Sequence, residues 1–155
     1  MPLARARGRL GPLAYGVSVL YTAVYVSSAV GSWSTPELSA LLAQSRAKNT
    51  SLDVTGVLLH REGTFMQVLE GEEDVVRPLY NVIAHDPRHA DVVNVWSSLS
   101  PHRRFGDWSM GFRDLDSHPV DLPGYTEVLD APPNHELLRR RLAAADFLSQ
   151  FVPVA

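Results

Sequence analysis

Residues 49–71, NTSLDVTGVLLHREGTFMQVLEG, hold two apolar strand-like runs around Glu62-Gly63, and a carboxamide, Gln67, stands inside the second run. A two-residue turn between β-rich runs predicts a hairpin, residues 54–60 with 64–69. Alternation puts Phe65, Gln67 and Leu69 on one sheet face and Met66 and Val68 on the other. Gln67 therefore points into apolar company. A buried amide group left unmet costs roughly 1–3 kcal/mol. Something polar must reach it, either a backbone or tyrosine partner in a satisfied core or a ligand.

Upstream, VSVLYTAVYVS at 17–27 is rich in β-branched and aromatic residues and predicts the first strand. Its odd positions, Val17, Val19, Tyr21, Ala23 and Tyr25, share a face, so Tyr25 can stand in the same layer as Gln67. Ser34-Thr35-Pro36-Glu37 is a capping-box pattern, and Leu38, Leu41 and Leu42 follow at helical spacing. This predicts a helix to about Lys48. Asn49 then reads as a helix cap or as an amide reaching across a cleft.

Downstream, Glu72, Glu73 and Asp74 precede Val75, Val76, Leu79, Tyr80 and Ile83, an acidic start followed by an apolar helical stripe. Pro78 predicts a late start or a bend. Asp86-Pro87 ends the helix, residues 91–99 read as a fourth strand, and residues 108–112 as a fifth carrying Trp108 and Met110. The order gives an α+β fold, a ferredoxin-like βαββαββ sandwich with a mixed five-stranded sheet and two helices on one face.

Residues 1–16 read as an N-terminal tail, 17–116 as the folded domain, and 117–155 as a connector and amphipathic helix. Pro119, Pro123, Gly124, Pro132 and Pro133 punctuate the connector, and Leu138, Leu142 and Ala145 mark the helix's apolar stripe. That helix can cover the bare sheet face or a partner molecule.

With 155 residues, 45% hydrophobic, the chain suits one domain that buries its core without staples. It has no cysteine, which excludes disulfides, thiolate nucleophiles and Cys-based metal clusters and suits a cytoplasmic setting. The formal charge of −3 gives no sign of a nucleic-acid binder; Arg5, Arg7, Arg9 and Arg139, Arg140, Arg141 read as solvated faces. No segment approaches the ~20 apolar residues of a membrane span.

His85 and His89 are four apart, but Pro87 between them removes the unbroken turn a helical ligand pair needs, so no metal site is expected. Phosphate-loop, dinucleotide and nucleophile-elbow patterns are missing. Glu70 and Glu72 read as surface or helix-start charges rather than an acid–base pair. Trp108 and Met110 read as core packing, or as a gate over a bound ring.

Tyr25-Val26-Ser27, Arg46-Ala47-Lys48-Asn49, Val54-Thr55-Gly56-Val57-Leu58-Leu59, Phe65-Met66-Gln67-Val68-Leu69-Glu70-Gly71, Asp86-Pro87-Arg88-His89 and Phe105-Gly106-Asp107-Trp108-Ser109-Met110 together resemble the BLUF family, blue-light sensors that use flavin. The match runs from about Val17 to Phe112, with Tyr, Asn, Gln, Trp and Met in the family's order and spacing.

The resemblance implies an oxidised flavin, usually FAD, between the two helices, its ring edge toward Gln67 and Asn49. It implies light-driven electron transfer from Tyr25, with a proton following through Gln67. The Gln67 amide then rotates or tautomerises and strengthens the bond to the flavin C4 carbonyl, a switch whose strength comes from a water-poor pocket. Trp108 and Met110 would carry the change through the last strand to the C-terminal helix. By the same similarity Leu41 and Ile83 sandwich the ring, while Asp86, Arg88 and His89 line it.

Val82 stands where relatives often carry a basic or polar residue near the flavin tail, which adds FMN and riboflavin to FAD as candidates; Lys48 offers a compensating cation. The expected function is a photoreceptor without catalytic activity of its own. It would act through a downstream protein partner, as a homodimer or higher oligomer. A flavin-dependent enzyme and a light-insensitive interaction module on the same fold are the alternatives.

Overall fold

The structure is a computed structural model and describes residues 19–117 and 137–150. In chain order it comprises β1 (Leu20–Ala29), α1 (Thr35–Leu52), β2 (Thr55–Arg61), β3 (Thr64–Gly71), α2 (Glu73–Ala84), β4 (His89–Ser100), β5 (Gly111–Asp114) and α3 (Leu137–Ser149). The sheet order is β4-β1-β3-β2-β5. β5 runs parallel to β2, and the other neighbours are antiparallel. The ferredoxin-like α+β plan is therefore present. Val17, the tail 1–16 and the proline-rich connector 118–136 lie outside the described residues.

Local chemistry sets these elements. The capping box forms: Ser34 Oγ accepts from the Glu37 N–H while Glu37 accepts from the Ser34 N–H. Glu62 and Gly63 take positive φ of 48° and 76°, which turns β2 into β3 with the handedness a two-residue hairpin requires. Gly56 is needed for close approach, since a Cβ there would sit 1.9 Å from the Val68 carbonyl oxygen.

The period of two divides the sheet into two apolar faces. Tyr21, Ala23, Tyr25, Leu58, Phe65 and Leu69 pack with Leu38 and Leu42 of α1 and Val76 and Leu79 of α2. On the opposite face Val24, Val26, Val57, Leu59, Met66 and Val68 pack with Ala143, Ala144, Phe147 and Leu148 of α3. Burial of this kind stabilises by roughly 25 cal/mol per Å² of apolar surface. α3 thus covers the face that the sequence leaves bare.

Five expectations are corrected. α1 continues past Lys48 to Leu52, because Thr50 and Ser51 do not break a helix and Asp53 supplies the left-handed cap at φ 54°. Asn49 is therefore inside the last turn and is not the cap. α2 starts directly at Glu73 with Pro78 inside it. Pro78 and Asp74 are both exposed, so the carbonyl that the missing Pro78 N–H leaves free lies on the solvent side of the helix. β5 begins at Gly111, three residues after the expected start, so Trp108 and Met110 precede it. The α3 stripe is Ala143, Ala144, Phe147 and Leu148, with Ala145 only half-buried. The side chains of Leu138 and Leu142 lie outside the described residues.

The fifth correction is Glu70, which is fully buried. Its carboxyl accepts from the Phe105 N–H (2.6 Å), the Arg104 N–H (3.0 Å) and the Thr55 hydroxyl (3.0 Å). It anchors the β4–β5 connection. Glu72 is the α2 N-cap position, as a helix-start residue.

Candidate functional site

A cavity of about 100 Å³ opens between α1 and α2 over the sheet. One row of residues across the strands builds its floor: Tyr25 on β1 pairs with Gln67 on β3, which pairs with Leu58 on β2. Period-two alternation turns all three to the helical side. Leu41 and Ser45 of α1 and Ile83 of α2 line the walls, with Trp33, Phe65, Asp86, Arg88 and His89 completing the lining.

Tyr25 is 2% exposed and Gln67 is 6% exposed. Burial pushes the Tyr25 phenol pKa upward, with Tyr80 and Asp86 adding to it, so the hydroxyl is neutral and remains a proton donor. Among the described residues no hydrogen bond engages that hydroxyl. Among those residues the Gln67 amide donates only to the Met110 thioether, Nε2 to Sδ at 3.5 Å, a weak acceptor. Met110 itself is buried.

The polar end is internally paired. Arg88 grips Asp86 through Nε and Nη2, at 3.0 and 2.6 Å, and the Arg88 side chain holds the Asp86 carboxyl below its usual range. His89 bonds Ser27 Oγ (2.8 Å) through Nδ1 and the Ile83 carbonyl through Nε2. In the neutral ring this makes Nε2 the N–H and Nδ1 the acceptor from Ser27. Its ring stands edge-on to Tyr25 at 6.3 Å.

Seven of the residues singled out in the sequence meet at this cleft: Tyr25, Leu41, Gln67, Ile83, Asp86, Arg88 and His89. A match to the family described as sensors of blue light using FAD covers residues 20–111. The chain belongs to the BLUF family. It is a flavin-binding, blue-light-sensing domain by that membership. It is 39% identical over 143 residues to the photoactivated adenylate cyclase subunit beta of Euglena longa, covering 90% of this chain and 15% of that protein. With the blue light- and temperature-regulated antirepressor BluF of Escherichia coli K12 it shares 34% identity, over 66% of this chain and 26% of the relative. The chain thus spans a minor part of those two proteins. The dark-state structure of BlrB, a BLUF protein, superposes with a TM-score of 0.64 at 28% identity, covering 83% of this chain and 98% of that one.

The BLUF domain's cleft fits a flavin ring on its own chemistry. Three polar groups around it, the Tyr25 hydroxyl, the Gln67 amide and the Trp33 indole N–H, lack strong partners among the described residues, while the walls are apolar. A flat heteroaromatic with carbonyls and ring nitrogens at one edge meets both demands.

Three candidates lie elsewhere. Asn49 is buried but donates to the Ser109 carbonyl (2.9 Å), and Arg46 donates to the Met110 carbonyl (2.9 Å). Lys48 is exposed outside the cleft. Trp108 is 46% exposed and leans on Phe105 at 5.9 Å and on Gly111, where a Cβ would come within 2.6 Å of its ring. Trp108 is thus out and Met110 in.

Trp33, Ser45, Leu58 and Phe65 escaped the sequence reading as site residues. Phe65 and Leu58 carried a signal, since both share the face and register of Gln67. Ser45 lies one turn from Leu41. Also unforeseen is the group His60, Asp114 and Asp116, whose ligand-type atoms lie within 4.8 Å of one another. The backbone N–H groups of Glu62 and Asp116 and the Ser117 hydroxyl already occupy its carboxylates, so it ties β2 to the end of β5. No helix among the described residues is long and apolar enough to cross a membrane.

Proposed function

We propose that the protein is a blue-light photoreceptor, without catalytic activity of its own, in which Tyr25 and Gln67 form the light-driven switch. The carrying observation is the cross-strand pair itself: a neutral buried phenol beside a buried amide whose one hydrogen-bond partner among the described residues is the Met110 thioether. The bound flavin supplies light absorption and an electron-accepting excited state. Tyr25 would give the electron and Gln67 would relay the proton, and both would return to Tyr25 as the radical pair recombines, so that the flavin ends oxidised and only the hydrogen bonds differ.

Rotation or tautomerisation of the Gln67 amide then changes what it offers to the C4 carbonyl and to Met110. A half-turn replaces the Nε2 donor facing Sδ with an oxygen, which the thioether cannot donate to, so Met110 is released. The release loosens residues 108–110, held by Arg46, Asn49 and the Gly56 N–H. Met110 also borders a second cavity of about 510 Å³ with Trp108 and Phe147 of α3, which gives the change a route to the far side of the sheet. A change in the packing of Trp108 and Met110 belongs to this proposal.

Leu41 and Ile83 would hold the ring between them, and Asp86, Arg88 and His89 would hold its polar end. We assign Asn49 to holding the 109–110 backbone. FAD is the proposed flavin, with FMN and riboflavin as competitors and Lys48 as the cation for a phosphate tail. Titrating Lys48→Ala with all three would remove Lys48 from the site if their relative affinities did not change. The output partner is a protein, on the precedent of the antirepressor. Because α3 fills the bare face, self-association must use another surface. As part of this proposal residues 17–116 are the sensing unit and the setting is cytoplasmic, which a cysteine-free chain suits.

Tyr25→Phe and Gln67→Ala test the switch. Both should bind flavin and show no red-shifted state after blue light; a normal red-shifted state in either overturns the mechanism.

A further inference from the structure

Trp33 precedes the α1 cap Ser34, the position from which an apolar side chain staples a helix start by packing toward its fourth residue, here Leu38. It packs against the cluster that contains Leu38 and Phe65, and stands edge-on to the Phe65 ring at 6.2 Å and 86°. Phenylalanine or leucine would serve that purpose equally. Indole adds an N–H, and Trp33 Nε1 is buried with no acceptor among the described residues. Stapling gives no reason to bury an unmet donor, which is costly in a folded core.

Trp33 also lines the cleft. Phe65, its ring neighbour, pairs with Ser27, and Ala29 two residues on pairs with His89, so Trp33 stands at the hairpin end of the cleft with Asp86 and Arg88. Asp86 is the obvious built-in acceptor at that end. Both of its oxygens are engaged by Arg88. The missing acceptor is therefore sought in whatever fills the cleft.

We propose that Trp33 is a ligand-recognition residue whose indole N–H donates a hydrogen bond to an oxygen of the bound flavin. This rests on the flavin reading of the cleft. The oxygen is a ring carbonyl or a hydroxyl of the ribityl chain, two sources with the same acceptor chemistry. Trp33 thereby fixes how the ring sits over Gln67 and takes no part in electron transfer.

The test pairs spectroscopy with affinity on the full chain. In ultraviolet resonance Raman spectra, the indole band sensitive to N–H hydrogen bonding is compared without and with riboflavin, and subtracting Trp33→Phe isolates the contribution of Trp33 from those of Trp96 and Trp108. The Trp33 band should move from its non-bonded to its bonded position on riboflavin addition. Trp33→Phe, which keeps the staple, should bind riboflavin roughly ten-fold more weakly, the loss of one buried hydrogen bond.

Lumiflavin, which lacks the ribityl chain, separates the sources: a persisting ten-fold loss assigns a ring carbonyl, and a vanished loss assigns a ribityl hydroxyl. If Trp33→Phe does not fold, the wild-type band, corrected with Trp96→Phe and Trp108→Phe, carries the same information. A Trp33 band that does not move while riboflavin binds overturns the inference and leaves the flavin reading standing. Failure of the wild type to bind any flavin overturns both.

Discussion

Tyr25 and Gln67 are Cα partners across the antiparallel β1–β3 ladder, and both line one cleft beneath α1 and α2. Directly opposed residues on one face hold their Cβ atoms roughly 4.5–5.5 Å apart, a separation fixed by the sheet rather than by loops. A switch built on this pair therefore has its geometry set by backbone hydrogen bonds. Side-chain rotation is what remains free to change.

Because burial raises the Tyr25 pKa above its ordinary value of 10.0, the folded protein keeps a proton that the unfolded chain releases. Stability is fully present below pH 10 and falls as pH rises above it. Denaturant titrations at pH 9 and 11 should show this fall in the wild type. Tyr25→Phe should show a smaller fall over the same interval; an equal fall would contradict the assignment.

Glu70 offers a stability test away from the cleft. Glu70→Ala removes the acceptor of two backbone N–H groups and leaves them inside the protein, at an expected cost of about 2–4 kcal/mol in urea unfolding. Arg103, which donates to Thr55 Oγ1 and to the Asp53 carbonyl, anchors the same connection, so Arg103→Ala and Glu70→Ala should be non-additive. Strict additivity would show that the two do not act as one anchor.

Residues 108–110 are held from α1 by Asn49 and Arg46. Removing both donors, in Asn49→Ala with Arg46→Ala, should speed amide hydrogen exchange in this segment while leaving β1 and β3 protected. Stability should fall by about 1–2 kcal/mol. Unchanged exchange at 108–111 would show that α1 does not restrain it.

How much of this was legible in the chain follows from range. The two sheet faces, the hairpin and the Tyr25–Gln67 layer depend on a period of two and on local turn chemistry, and the sequence carries both. Trp108 to Met110 alternate like a strand, yet the carbonyls of Met110 and Ser109 are taken by Arg46 and Asn49, 64 and 60 residues earlier, and that of Trp108 by the Gly56 N–H. No local pattern encodes that capture. Glu70 looked like a surface or helix-start charge because its backbone partners are 34 and 35 residues away. Trp33 was hidden differently: its place before a capping box accounts for an apolar residue, and only the buried N–H asks for more.

The most direct measurement is the visible absorption spectrum of the purified protein before and after blue light, followed in the dark. The account predicts an oxidised-flavin spectrum that shifts slightly to the red without bleaching and then recovers. A flavin that bleaches by reduction, or a protein that binds none even after reconstitution, would contradict it.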